Sequence, residues 1–153
     1  AKKNSVSEAD ELLHDEIYKL ESDVDDCSGE ILGYTMERLL AACALDVHYT
    51  AIYMKKNRPA WELTVLCHAQ NREELEKIIF AETTTIGIRR TLMQRDMLPR
   101  ERGLVQTEYG AVQVKLCSGK CYVEYDSAAE IARQNGVPLQ KVYDSVNFSA
   151  KKH

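Results

Sequence analysis

Two strand-like segments stand close together in the middle of the chain, joined by a short cationic connection. "LDVHYTAIYM" (45–54) and "WELTVLCHA" (61–69) are rich in the β-branched and aromatic residues that favour β-strands. The connection between them carries Lys55, Lys56 and Arg58 with no acidic residue among them. Two such segments so close together predict an antiparallel hairpin, which limits how the flanking elements can be arranged.

The segments before the hairpin predict a strand followed by a helix. "IYKLESDVD" (17–25) alternates apolar and polar residues over part of its length, as a half-buried strand does. In "GEILGYTMERLLAAC" the apolar residues recur at helical spacing, with Asp26 or Ser28 available as the N-cap. The chain therefore enters the hairpin from a helix.

The segments after the hairpin repeat this helix and strand. Asn71 and Glu74 have capping-box spacing ahead of "EELEKIIFAE", and "TTTIGIRRTLMQRDML" (83–98) alternates again. The order βαββαβ predicts an α+β protein with a ferredoxin-like core over residues 17–98.

The remaining residues predict an added β-hairpin and two C-terminal helices. "LVQTEYGAVQVKLC" is typical of a hairpin that turns near Tyr109 and Gly110. Ser127 has capping-box spacing at the start of a helix that Gly136 ends, and a second helix follows. The predicted domain organisation is residues 1–16 as a polar lead-in or linker, 17–98 as the core, 99–147 as hairpin and helices packed on the core, and 148–153 as a tail.

Composition excludes several classes of protein. Acids outnumber bases by 24 to 20, and the resulting net charge of −4 argues against bulk electrostatic binding of nucleic acid. No apolar run approaches the roughly 20 residues that a membrane helix needs, so no membrane partner is predicted. Five cysteines, an odd number and partly within apolar segments, favour a reducing compartment and predict a cytoplasmic location.

Two groups of cations point to an anionic ligand. Hydroxyls, a flexible backbone and guanidinium groups bind phosphate oxygens, and both clusters offer such groups. The alternative for the first group is a solvated loop tip. No Walker sequence and no G-x-G-x-x-G occurs, so neither standard phosphate loop is present. The predicted phosphate ligands are Lys55, Lys56 and Arg58 in the hairpin connection, and Thr84, Thr85, Arg89 and Arg90 further along.

Acidic residues gather where the first predicted strand ends. Asp23, Asp25 and Asp26 precede the first helix, and Glu82 precedes the threonines. Mg²⁺ and Mn²⁺ bind carboxylate oxygens, often using one or two protein carboxylates plus phosphates. These acids are therefore candidate metal ligands, the alternative being helix capping and solubility.

Two other functions remain open on the residues alone. "AAEIARQNGVPLQKVYDSV" resembles a DNA-binding helix-turn-helix, but its second helix offers few phosphate-binding groups, so a nucleic-acid partner is disfavoured. A sheet covered on one face, with Tyr53, Trp61, Leu63 and Val65 alternating with polar residues, predicts self-association, with edge strands or the helices after Ser127 buried between subunits. The alternative function is thus a DNA-binding or oligomerisation module without catalysis.

Several segments together resemble a known family. "DDCSGEILGYTMERLLAACALDVHYTAIYMKKNRPAWELTVLC", "ETTTIGIRR", "LPRE", "YGAVQVK" and "EYDSAAEIARQNGVPLQKVY" are similar to the C-terminal domain of the LarC nickel insertion proteins. The resemblance covers residues from about 20 to 143 in the same order, and "YMKKNRP" and "ETTTIGIRR" are its most specific motifs. The chain departs from the family pattern at Ala60, where a glycine is expected for turn geometry.

The resemblance implies an activity and a ligand set. It implies a CTP-dependent cyclometallase that inserts nickel, its substrate metal, into pyridinium bisthiocarboxylic acid mononucleotide to form the nickel-pincer cofactor of lactate racemase. It also implies CTP binding with Mn²⁺ or Mg²⁺, assembly as trimers or hexamers, and a family N-terminal domain missing from this chain. No catalytic or nickel-binding residue is assigned. By motif, Lys55, Lys56, Arg58, Thr84, Thr85, Arg89 and Arg90 lie near the nucleotide phosphates, and Asp25, Asp26 and Glu82 near the metal.

Overall fold

The computed structural model describes residues 11–150 and their side chains as far as residue 147. These residues divide into two compact units, one formed by His14–Arg95 and the other by residues 96–150 together with residues 11–13. The elements are β1 (Leu13–Val24), α1 (Gly29–Ala41), β2 (Asp46–Met54), β3 (Arg58–Cys67), α2 (Arg72–Glu82), β4 (Arg89–Met97), β5 (Glu101–Thr107), β6 (Gly110–Cys117), β7 (Lys120–Val123), α3 (Tyr125–Asn135) and α4 (Leu139–Ala150).

The first unit is a four-stranded sheet with two helices on one face. The strand order is β2-β3-β1-β4, and β3 runs antiparallel to both β1 and β2. Side chains that alternate along β1, β2 and β3 pack against α1 and α2, so the core lies on this face. The α+β class is confirmed. The core residues are Leu20, Leu39, Val47, Leu63, Val65, Cys67, Leu75, Ile78 and Ile79.

The opposite face of this sheet carries charged side chains, contrary to the predicted apolar face. Leu63 and Val65 are fully buried in the core. Asp23 and Glu62 are register partners one residue away from core positions, so their side chains lie on the other face. The strands' period of two places these core residues on the helix side, whereas Ile17, Ile52 and Leu66 lie on the other face among the charged residues. The open face is thus mixed rather than apolar, and self-association stays a prediction.

Two of the three helix starts with predicted caps differ from expectation. Of the two candidates for α1, Ser28 is the cap, and its Oγ accepts a hydrogen bond from the Ile31 N–H at 3.3 Å. Asn71 ends a 3₁₀ turn and already has helical dihedrals, so its side chain makes no cap. Ser127 lies inside α3, where its hydroxyl accepts from the Gln113 N–H at 2.9 Å. The capping boxes predicted at Asn71 and Ser127 are therefore wrong.

The second unit has a three-stranded sheet rather than the predicted hairpin. The turn between β5 and β6 is confirmed, but β7 adds a third strand in the order β5-β6-β7. Ser118 and Gly119 make the second turn with φ of 46° and 70°. Gly136 ends α3 with a left-handed φ of 63°, as predicted. Helices α3 and α4 contribute Ala128, Ala132, Val142 and Val146 to a core with Val112 and Val114.

This packing disfavours the helix-turn-helix interpretation. Val142 and Val146 of α4 are fully buried, so one side of the helix that would have to read DNA lies in the core. The packing of residues 99–147 on the core stays a prediction.

The chain ends bear on the remaining predictions. Residues 1–10 of the predicted lead-in and 151–153 of the tail lie outside the described residues, while β1 already begins at Leu13.

All five cysteines are free thiols. No helix within residues 11–150 has the length and hydrophobicity that crossing a membrane requires.

Candidate functional site

Three separate chain segments meet at one end of the first sheet. The acidic connection (Asp23, Asp25 and Asp26) runs from β1 towards α1, and each of its carboxylates contacts a residue from another segment. The contacts are Asp23 with Arg89, Asp25 with Arg58, and Asp26 with Thr84. The fold thus joins the predicted metal ligands to the predicted phosphate ligands.

Arg89 makes the best-formed of these contacts. Its Nη1 and Nη2 donate to the two carboxylate oxygens of Asp23 at 3.0 and 2.9 Å, and Nη2 also donates to Glu62 at 3.4 Å. The hydrogen bond to Asp23 raises the pKa of the Arg89 guanidinium above its usual value. Bidentate pairing fixes the orientation of this side chain on the open face.

Arg58 makes a much weaker contact. Its Nη1 lies 3.5 Å from Oδ2 of Asp25, and 58% of the side chain is exposed. An exposed, single and long ion pair contributes about 0–1 kcal/mol, so little free energy opposes its exchange for another anion. The backbone of Arg58 is extended ahead of Pro59, as X-Pro geometry requires.

The cationic connection is a tight turn rather than a continuation of the strands. Met54 and Arg58 are register partners, and Lys56 and Asn57 have left-handed φ angles of 60° and 58°. Strand alternation therefore does not decide where Lys55 and Lys56 point. Within the side chains that the structure describes, neither lysine has an ion-pair partner. Two unpaired cations thus stand beside Arg58 at the tip of the turn.

Threonine hydroxyls organise the loop between α2 and β4. Thr83 donates to the carbonyl of Ile79 at 2.7 Å, and Thr85 donates to the carbonyl of Gly87 at 3.0 Å. Thr84 donates to the carboxylate of Asp26. Ile86, at the tip of this loop, is fully exposed. The loop is therefore tied to the acidic connection through Thr84.

Arg90 does not join the other predicted phosphate ligands. Its Nε lies 2.8 Å from a carboxylate oxygen of Glu76 on α2, whereas Arg89 contacts β1 and β3. Consecutive strand residues point to opposite faces, so the two arginines are separated by the sheet. Glu76 also accepts from Arg72 at 3.3 Å. Arg90 thus belongs to a structural network on the helix side.

The candidate metal ligands are not assembled into a ready-made cage. Asp25 and Asp26 contact Arg58 and Thr84, and Glu82 contacts Arg38 of α1. Among the described residues, no group of three or more histidine, cysteine or acidic side chains is placed to hold a metal ion. Such a donor set suits a hard cation that brings phosphate oxygens with it, because one or two carboxylates then suffice.

Charge around this sheet end is balanced. The five carboxylates Asp23, Asp25, Asp26, Glu62 and Glu82 face the five cations Arg38, Lys55, Lys56, Arg58 and Arg89. A polyphosphate alone would add several negative charges to this set. A polyphosphate that carries a divalent cation would add fewer, which makes it the better electrostatic match.

A pocket of about 330 Å³ opens beside these groups, and sequence reasoning missed it. Among its lining residues are Asp25, Cys27, Tyr53, Ala60 and Trp61. Ala60 is a buried β3 residue opposite Ile52, and the turn's positive φ angles fall on Lys56 and Asn57. Strain at Ala60 was therefore wrongly predicted. The available signal was Trp61 itself, a large aromatic residue three positions after Arg58.

Comparison with known proteins identifies relatives for almost the whole chain. A sequence profile of the family described as nickel insertion protein matches residues 3–143. A pyridinium-3,5-bisthiocarboxylic acid mononucleotide nickel insertion protein from Alkaliphilus metalliredigens is 46% identical over 141 residues, covering 90% of this chain and 34% of that protein. A protein of the same name from Lactiplantibacillus plantarum is 43% identical over 135 residues, covering 86% and 32%. The chain thus spans about a third of the length of these curated relatives.

A solved structure shows the same fold. It is described as LarC2, the C-terminal domain of a cyclometallase involved in the synthesis of the NPN cofactor of lactate racemase. The TM-score is 0.84 at 40% identity, and the match covers 91% of this chain and 99% of that chain.

Proposed function

The chain belongs to the nickel insertion protein family, and we propose that it is the CTP- and metal-binding part of an enzyme that inserts nickel into pyridinium-3,5-bisthiocarboxylic acid mononucleotide. The observation that supports this proposal is the meeting of Arg58, Arg89 and Thr84 with the acidic connection at one sheet end. Nickel enters this reaction as the substrate metal. The relatives' names and the LarC2 match support the reaction class.

Each group at the sheet end has a distinct role in this proposal. Arg58, Lys55 and Lys56 bind phosphate oxygens from the turn, and Thr84 and Thr85 offer hydroxyls from the loop. Asp25 and Asp26 would hold Mn²⁺ or Mg²⁺, which when bound would shield the phosphate charge, and Glu82 would have to leave Arg38 to join them. When the ligand binds, the ion pair between Asp25 and Arg58 would open. Asp25 would then contact the divalent cation, and Arg58 would contact a phosphate oxygen.

The two neighbouring arginines are given different roles. Arg89 is held by Asp23 and Glu62, so it orients the acidic connection and contributes positive charge from the open face. Arg90 is kept out of the site because Glu76 holds it on the helix side. The proposal thus retains five of the seven predicted phosphate ligands and makes Arg89 a positioning residue.

We also infer that the first unit is ferredoxin-like. The order βαββαβ and the strand order β2-β3-β1-β4 support this assignment. Assembly as trimers or hexamers and a cytoplasmic location stay predictions. No described feature favours the alternative of a DNA-binding module.

Binding of CTP should require a divalent cation. We expect Mn-CTP at about 100 times its dissociation constant to add roughly 2.7 kcal/mol to the free energy of unfolding, because it binds only the folded chain. Thermal unfolding followed with CTP, Mn²⁺ or both measures this effect, and EDTA should abolish it. Equal stabilisation by CTP in EDTA, or none at millimolar Mn-CTP, would reject the proposal.

Arg58→Ala should weaken Mn-CTP binding by about 1.5 to 3 kcal/mol, the usual range for a hydrogen bond to a charged group. Its side chain is largely exposed, so the unfolding temperature without ligand should hardly change. Calorimetric titration gives the affinity. Arg90→Ala is the matched control, because Arg90 is a similarly exposed arginine held on the helix side, and it should keep wild-type affinity. Equal losses in both variants would place the phosphates elsewhere.

A further inference from the structure

The pocket beside the acidic connection has aromatic walls and a buried apolar floor. Tyr53 and Trp61 are exposed to 76% and 43%, whereas Val24 and Ala60 are buried. Large aromatic side chains that stand exposed around a concave surface are typical of binding sites rather than of inert surface. We call this space, lined by Val24, Asp25, Cys27, Ala51, Ile52, Tyr53, Pro59, Ala60 and Trp61, the aromatic pocket.

The two aromatic residues lie on the same side of the sheet. Trp61 pairs with Ala51 across β2 and β3, and Tyr53 follows Ala51 by two residues. Residues two apart on a strand share a face, so Tyr53 and Trp61 are diagonal neighbours, within reach of one another's rings. Val24, opposite Trp61 on β1, extends the same face. The sheet thus presents two π-systems next to each other.

The size and aromatic walls of the pocket favour a planar cation. A volume of about 330 Å³ lies near the lower end of the range for ligand pockets, which suits one substituted ring rather than a whole nucleotide. Aromatic faces attract the positive charge of a ring that lies above them. A neutral ring would gain the stacking but not the charge interaction.

The position of the pocket also suits a ring that carries a phosphate. Pro59 lines the pocket, and the preceding residue, Arg58, projects towards Asp25, which lines it too. A phosphate joined to the ring through a ribose would therefore lie close to Arg58 at the pocket rim, next to the nucleotide phosphates of the proposed function. Ring and phosphate would be recognised by adjacent residues of one hairpin.

We propose that the aromatic pocket binds the cationic pyridinium ring of a mononucleotide, with Trp61 and Tyr53 as its ring contacts. This inference rests on the proposed function for the identity of the ring, since the substrate named in the relatives is a pyridinium mononucleotide. It assigns specificity to Trp61 and Tyr53, neither of which the sequence alone indicated as a ligand contact. The nickel atom is inserted into this ring system, so the pocket would hold the reacting part of the substrate.

Trp61 is the only tryptophan in the chain, which makes its fluorescence a direct probe. We expect nicotinamide mononucleotide, which carries a pyridinium ring and one phosphate, to quench this fluorescence in a saturable manner. Tyr53→Leu should weaken the binding about 5-fold or more, the loss of a cation–π contact of about 1 kcal/mol, and Tyr53→Phe should restore it. Phe80→Leu is the matched control, because Phe80 is an exposed aromatic residue of α2 outside the pocket.

Fluorescence titration with a second nucleotide tests whether the pocket prefers a cationic ring. CMP carries a neutral pyrimidine and should quench at least 5-fold more weakly than nicotinamide mononucleotide. Non-saturating quenching by nicotinamide mononucleotide, equal quenching by CMP, or an affinity unchanged in Tyr53→Leu would overturn the assignment. If Mn-CTP still raises the unfolding temperature while one of these three results is found, only the pocket assignment is wrong. If Mn-CTP does not raise the unfolding temperature, the proposed function itself is wrong.

Discussion

Replacing Leu63 with alanine is expected to lower the free energy of unfolding of the His14–Arg95 unit by about 2 to 5 kcal/mol. Leu63 is fully buried in β3, between β1 and β2 and under the helices. Truncation removes apolar contacts and leaves a cavity that neighbouring strands cannot close without breaking register. Urea unfolding followed by the fluorescence of Trp61, two residues away on the same strand, measures the loss.

Two control variants test whether the loss of stability in Leu63→Ala comes from the burial of the leucine side chain. Ser22 lies opposite Leu63 on β1 and is also buried, but its hydroxyl has no hydrogen-bond partner within the described side chains. Ser22→Ala should therefore leave stability unchanged or raise it, because an unsatisfied buried hydroxyl is costly. Leu92→Ala removes a leucine that is 56% exposed on β4 and should cost far less than Leu63→Ala. Equal losses for the two leucine variants would show that the described core is wrong.

Local periodicity predicted most of the first unit. The hairpin around the cationic turn, the helical stripe before it and a strand after α2 all follow from patterns within about a dozen residues, although that strand begins at Arg89 rather than at residue 83. Such patterns predict which side of an element is buried. Of the stripe predicted for α1, Leu32 and Leu39 are buried, whereas Leu40 is 48% exposed.

Features that depend on partners distant in sequence were beyond such patterns. Arg89 and Asp23 are 66 residues apart, and Arg58 and Asp25 are 33 apart, so no local rule joins them. β7 was not predicted, because four residues are too few to show alternation. Arg90 stood beside Arg89 in sequence, and strand geometry then placed its side chain on the other face.

The aromatic pocket illustrates the same limit at the candidate site. Its lining comes from β1, the connection to α1, β2 and β3, and the three strands must be paired in register before a concave surface exists. Trp61 and Tyr53 looked like ordinary strand residues in the sequence. Their exposure, which follows from their position at the sheet end, is what marks them as a binding surface.

The pairing of acids with arginines at the sheet end explains why cations and anions are both concentrated there. Each group stabilises the other while no ligand is bound, and a metal–nucleotide complex offers the same two kinds of partner, a cation for the acids and an anion for the arginines. Each side chain therefore exchanges one partner for another of the same charge, and the electrostatic free energy of the exchange is small. The same balance implies that neutralising only the acids should disrupt ligand binding while changing the fold little.

Replacing both Asp25 and Asp26 with asparagine should accordingly abolish the stabilisation by Mn-CTP, a loss of about 2.7 kcal/mol at a ligand concentration that is 100 times the wild-type dissociation constant. Asparagine keeps the shape of the side chains and can still accept from Arg58 and Thr84, but it lacks the charge that a divalent cation requires. Thermal unfolding of the variant with and without Mn-CTP measures the effect. Asp15→Asn is the matched control, since Asp15 also lies on β1 and pairs with Arg95 at 2.6 Å but is not part of the acidic connection. Asp15→Asn removes one negative charge, as each of the single variants Asp25→Asn and Asp26→Asn does. Wild-type stabilisation in this control beside a loss in the single variants would show that the loss comes from the position of Asp25 and Asp26 rather than from net charge. Full stabilisation of the double variant would place the metal elsewhere.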